Sequence, residues 1–122
     1  MDESRGPVVF VSGATATVTQ TAGVLVVALA GEVDECFSRT GASLTRTVAA
    51  AGKPVHVDLS EVTFFTAAGV AWLVSLYAAA DNEVRVVAMS PVVREVLGLC
   101  DVPTTSLSLG AQRQAGRYAD AL

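Results

Sequence analysis

The run Thr66-Ala67-Ala68-Gly69 places one hydroxyl at the point where an alternating segment, beginning at Val55, gives way to an apolar helix. A hydroxyl there can do two kinds of chemistry. It can cap the helix, or it can accept a phosphoryl group, because the free backbone N–H groups and the macrodipole of a helix start accommodate an added charge of about −1.5 to −2. Ala67, which begins the helix, has no oxygen to phosphorylate. Thr66 is read chiefly as the N-cap and only weakly as a phosphoryl acceptor. Gly69 allows close approach to the first turn, by a partner or simply by a neighbouring segment.

The thiols offer a second chemistry. Cys36 follows the acids Glu32, Asp34 and Glu35 at the start of another helix, where a thiol could be redox-active if exposed. Cys100 ends a third helix and reads as a small buried hydrophobe. The two fall near opposite rims, so a disulfide between them is not expected. Two cysteines in a short chain that opens on MDESRGPVVF, without a basic and apolar leader, suit reduced thiols and a cytoplasmic protein. His56 is the only histidine and sits in mid-strand. No metal cluster, phosphate-binding glycine loop or nucleophile-base-orienter set can be assembled, so no cofactor, no metal site and no enzyme is expected.

These residues need a scaffold, and 122 residues that are 52% hydrophobic can build one domain with a core of its own. A net charge of −4 with eight scattered basic residues leaves no basic stripe and excludes direct nucleic-acid binding. Nineteen uncharged residues lie between Glu61 and Asp81, but Thr63, Thr66, Gly69, Ser75 and Tyr77 interrupt them and no membrane insertion is expected.

Residues 1–13 read as a flexible leader broken by Gly6-Pro7 and Ser12-Gly13. A hairpin follows, with strands about Ala14 to Gln20 and Val24 to Ala30 around a turn at Thr21 to Gly23. A helix begins near Asp34, repeats Phe37, Gly41, Leu44 and Val48 at helical spacing, and stops at Gly52-Lys53-Pro54. Val55, Val57 and Leu59 alternate inward on the next strand. Val84 to Met89 is a continuous apolar strand, Ser90-Pro91 starts a helix with Val93, Val96/Leu97 and Cys100 on its apolar stripe, and Thr104 to Leu109 gives a short strand. Ala111, Ala115, Tyr118 and Leu122 line a final helix. The order β-β-α-β-α-β-α-β-α predicts an α/β fold, a mixed central sheet of about five strands with about four helices.

On a helical wheel, Val70, Leu73, Val74 and Tyr77 fall together and are expected to face the sheet. Ala68, Trp72, Ser75 and Ala79 fall on the other side. Trp72 is there either a partner anchor, as tryptophans often are, or a residue covered by a neighbouring helix or the C-terminal segment.

The segment VHVDLSEVTFFTAAGVAWLVSLYAAA, with Gly31-Glu32-Val33-Asp34 before it and MSPVVREVL after it, resembles a STAS domain of the anti-sigma factor antagonist family, over residues 14–122. The resemblance implies a regulatory binding protein that sequesters a kinase-type, ATP-binding anti-sigma factor and so frees a sigma factor. It maps the partner surface onto Asp34, Thr66, Ala67, Ala68, Gly69 and Trp72, although Asp34 is also a natural helix cap. In that family the turn usually carries a phosphoacceptor serine. Ala67 replaces it here, so phosphorylation at that position is not expected to regulate the protein. The alternative is a STAS subunit of a membrane transport or lipid-export complex docking on an ATPase. A homo-oligomer is left open.

Overall fold

A tight turn at Ala22-Gly23, both with positive φ (49° and 79°), folds the chain back on itself in the mirror-image geometry that suits twisted hairpins. The computed structural model describes residues 8–106, and within them this hairpin joins strand β2 (Ala14–Thr21) to strand β3 (Val24–Val33). Strand β1 (Val8–Ser12) pairs antiparallel with β2. It falls where a flexible leader was expected, so the sheet begins earlier than the first alternating pattern suggested. The remaining strands are β4 (Val55–Phe65), β5 (Val84–Met89) and β6 (Thr105–Ser106).

The strands lie in the order β1-β2-β3-β4-β5-β6. The β3-β4-β5 pairings are parallel, and the outer ones are antiparallel. The α/β class with a mixed sheet is as expected, with six strands in place of about five. Three α-helices are described: α1 (Ser38–Ala51), α2 (Ala67–Ala79) and α3 (Pro91–Leu99), with one 3-10 turn, Glu35–Phe37, leading into α1. The helix expected over Ala111 to Leu122 lies outside the described residues. No helix among them is long and apolar enough to cross a membrane.

Register decides which face is core. Val18, Val27, Val57 and Val86 stand side by side across four strands and are all buried. The adjacent row, Thr19, Val26, His56 and Arg85, lies on the other face and keeps partial or full exposure. His56 is thus an ordinary strand residue. On β4 the strict alternation stops after Leu59. Two register shifts against β3, where β4 gains residues relative to its partner, change the inward spacing from two to three, so Val62 and Phe65 enter the core and Phe64 points out. Asp58 stabilises the first of these irregularities by accepting from the backbone N–H and the hydroxyl of Ser60, at 2.9 and 2.6 Å.

The helix α1 buries Gly41, Leu44 and Val48 and, with Phe37 ahead of it, matches its apolar period; Gly52 closes it in the left-handed conformation (φ 62°). Ser90 precedes Pro91 at the start of α3 but gives no side-chain cap: its hydroxyl is buried without a partner among the described residues, while its backbone N–H donates to Leu59 at 3.1 Å. Val93 and Leu97 are buried as expected. Cys100 is not: α3 ends at Leu99, the chain turns through Asp101 (φ 57°), and the thiol is left exposed.

Tyr77 ties α2 to the segment before β6. Its hydroxyl donates to the carbonyl of Pro103 at 2.5 Å, and burial pushes its pKa up from 10.0 to about 12. The folded state therefore holds the proton where the unfolded chain releases it. Stability from this group is fully present below pH 10.0 and is lost between there and about pH 12. Urea midpoints measured from pH 9 to 12 should fall more steeply for the wild type than for Tyr77→Phe, and parallel profiles would remove Tyr77 from this role.

Candidate functional site

Because β3 and β4 are parallel neighbours, the residues that follow them emerge together at one rim of the sheet. Val33 pairs with Phe65, and the next residues are Asp34 and Thr66. Thr66 is fastened to the end of β3 twice: its backbone N–H donates to the Val33 carbonyl at 3.1 Å, and its hydroxyl donates to the same oxygen at 3.4 Å. The hydroxyl also accepts from the backbone N–H of Ala68 at 3.3 Å, so the expected N-cap is present. Asp34 caps the 3-10 turn in the same manner, its Oδ1 accepting from the N–H of Cys36 at 3.0 Å.

The fold brings Asp34, Thr66, Ala67 and Ala68 to one rim, with Ala67 exposed and Ala68 and Asp34 half-buried. The exposed ring of Phe64 and the exposed thiol of Cys36 flank them in sequence. Both cysteines are free. Among the described residues no group of His, Cys, Asp and Glu side chains could hold a metal ion.

Two residues expected on this surface are in the interior. Gly69 is buried beneath Phe65: a Cβ built on it would lie 2.5 Å from Cε1 of that ring. Its glycine character serves the packing of strand end against helix start. Trp72 is only 5% exposed, and its ring meets Phe37 edge-on, with centroids 5.7 Å apart and planes at 86°. Helix α1 covers it. The close approach depends on Gly41, where an added Cβ would lie 2.9 Å from both Phe37 Cε2 and Trp72 Cδ1. The buried residues of α2 are Gly69, Trp72, Leu73, Leu76 and Tyr77, an arc turned roughly a quarter revolution from the one expected; Val74 is 48% exposed.

Between the two helices runs a cleft of about 420 Å³. Its α1 wall is Ser38, Gly41, Ala42 and Thr45, and its α2 wall includes Ala68, Trp72, Ser75 and Ala79, the stripe the wheel placed opposite the sheet. Ala68 joins this cleft to the rim. The sequence held the signal for both stripes, small residues at helical spacing, but nothing to say that they face each other.

The family model described as "Mlab, STAS domain" matches residues 16–108. The chain belongs to the STAS domain family. No curated protein matches it. Among solved structures, this STAS domain is similar to the crystal structure of an anti-sigma factor antagonist from Mycobacterium paratuberculosis, at 26% identity and a TM-score of 0.65, covering 73% of this chain and 79% of that one. The STAS resemblance read from Val55 to Ala80 and its flanks is therefore correct for family and fold.

Gly69→Ala should destabilise the domain by about 1 to 3 kcal/mol, since the Phe65 ring it would strike is itself buried; a denaturation midpoint equal to wild type would show that the ring moves aside freely. Trp72→Ala, which removes an indole from between two helices, should cost about 3 to 5 kcal/mol in chemical denaturation. A loss below 1 kcal/mol would return Trp72 to the surface.

Proposed function

We propose that this STAS domain is an anti-sigma factor antagonist: a cytoplasmic binding protein, not an enzyme, that occupies a kinase-type anti-sigma factor and releases the sigma factor held by it. The observation that carries this reading is the convergence of Asp34 and Thr66 to Ala68 at one rim, held by the paired donors from Thr66 to Val33. The likeness to a mycobacterial anti-sigma factor antagonist supports it. The contact surface is the exposed part of that rim, and Gly69 and Trp72 act beneath it by shaping helix α2.

Regulation through residue 67 is ruled out chemically, because its side chain is a methyl group. Thr66 is a poor substitute. Its hydroxyl already donates to the end of β3, and esterifying it would remove that donor.

Helix α2 favours a second reading, in which the domain docks on the ATPase of a membrane transport complex. The helix carries no charged residue and exposes Val74.

Immobilised protein should retain an anti-sigma factor from a lysate of its own cells, and the purified pair should release sigma factor when mixed with the ternary components. Ala67→Glu places a charge where the helix start tolerates it, so the fold should keep its Tm within about 2 °C while affinity falls at least tenfold. Intact-mass spectrometry after incubation with the partner and ATP should show no phosphoryl adduct. Unchanged affinity of Ala67→Glu would move the interface elsewhere, and capture of a transport ATPase would select the second reading.

A further inference from the structure

Strand β1 closes the sheet on one side, and no strand among the described residues pairs with its outer edge. Alternate residues of an edge strand turn their backbone N–H and C=O groups away from the sheet, a row that another extended strand can pair in register. Natural edges are usually blunted by a charge, a proline or a bulge. Val8–Ser12 has none of these. It reads VVFVS, its pairing with β2 runs unbroken from Val8↔Val18 to Ser12↔Ala14, and no charged residue occurs between Arg5 and Glu32. Val8, Val9 and Val11 are exposed, so the strand is apolar as well as open along its edge.

The residues of the strand and the charge of the chain select the occupant. A two-fold axis perpendicular to the sheet keeps each face continuous, so a residue can meet only one from the same face of the other copy. The register centred on Phe10 pairs all five positions. Phe10, half-buried against the core, then meets Phe10 of the second copy, and on the open face Val9 meets Val11 twice. Aromatic and β-branched cross-strand pairs stabilise antiparallel ladders. The net charge of −4 opposes association of identical copies, but this seam carries none of it. We infer that β1 pairs antiparallel with β1 of a second copy, centred on Phe10, and joins the two six-stranded sheets into one. A five-residue seam falls short of the roughly 800 Å² per partner that a stable interface buries, so the dimer is weak and forms with rising concentration. The rims bearing Asp34 and Thr66 point to opposite ends of such a dimer and stay open, so the inference does not rest on their reading as a partner surface.

Sedimentation velocity of the intact protein should show the sedimentation coefficient rising toward the dimer value between about 10 μM and about 1 mM, the range of weak contacts. Over the same range the amides of Val8–Ser12 should gain protection from hydrogen exchange. Two double variants test the register. Val9→Lys with Val11→Lys sets lysine opposite lysine at both open-face pairs and should weaken the dimer at least tenfold. Val9→Lys with Val11→Glu sets lysine opposite glutamate at both and should stay within about threefold of wild type. Both positions are exposed, so each variant should keep the circular dichroism spectrum of the folded monomer.

A monomer throughout that range, equal weakening by the two double variants, or a dimer that neither variant changes would each overturn the proposal. So would a monomer whose β1 amides are protected at every concentration, since another segment of the chain would then occupy the edge. None of these readouts needs an anti-sigma factor, so failure here is distinct from failure of the partner reading.

Discussion

The edge-on contact between Phe37 and Trp72, made at the one place on α1 where Gly41 leaves room for it, sets the spacing of the two helices and so much else. It keeps the 3-10 turn after β3 and the body of α2 in fixed relation, and those two elements carry Asp34 and the Thr66-Ala67-Ala68 start. The same contact holds the helices close enough to cover the indole, yet the small residues beyond it leave the cleft open. Aromatic pairs of this geometry contribute about 0.5 to 1.5 kcal/mol beyond their buried area. The orientation they impose is the larger consequence here, because a rim made from two separate loops is only as well defined as the supports behind it.

A second fixed relation lies along β4. The strand enters the core on a period of two and leaves it on a period of three, and this change delivers Phe65 inward over Gly69 at the moment the helix begins. Thr66, between them, is left pointing back at Val33. The helix start is therefore placed by register and bulge as much as by its own cap.

Helix α1 was legible from residue type because its apolar positions recur on one face: Phe37, Gly41, Leu44 and Val48 are all buried. Helix α2 was legible as a helix but not in its orientation. It is apolar almost all round, and such a helix has no polar face to fix its rotation; packing against α1 and the sheet fixed it instead. For Trp72 the wheel left two roles open, a partner anchor or a residue covered by a neighbouring helix, and α1 covers it. Strand β1 was missed because an edge strand with Val8, Val9 and Val11 exposed lacks the alternation that marks a half-buried one. Cys100 belonged to the apolar stripe by spacing, but the helix ended one residue before it. The cap at Thr66, by contrast, needed only the local order of hydroxyl, alanine and helix, and it stands as read.

The methyl group at residue 67 carries a consequence of a different kind. A surface with a modifiable side chain can store a past event in a covalent bond and keep that record after the modifying enzyme has gone. Ala67 stores nothing. Under the function proposed above, occupancy of this rim carries no covalent record at residue 67, relaxes as fast as complexes dissociate, and needs no phosphatase acting there, so a lasting memory at that position would have to reside in synthesis, turnover or the partner molecule.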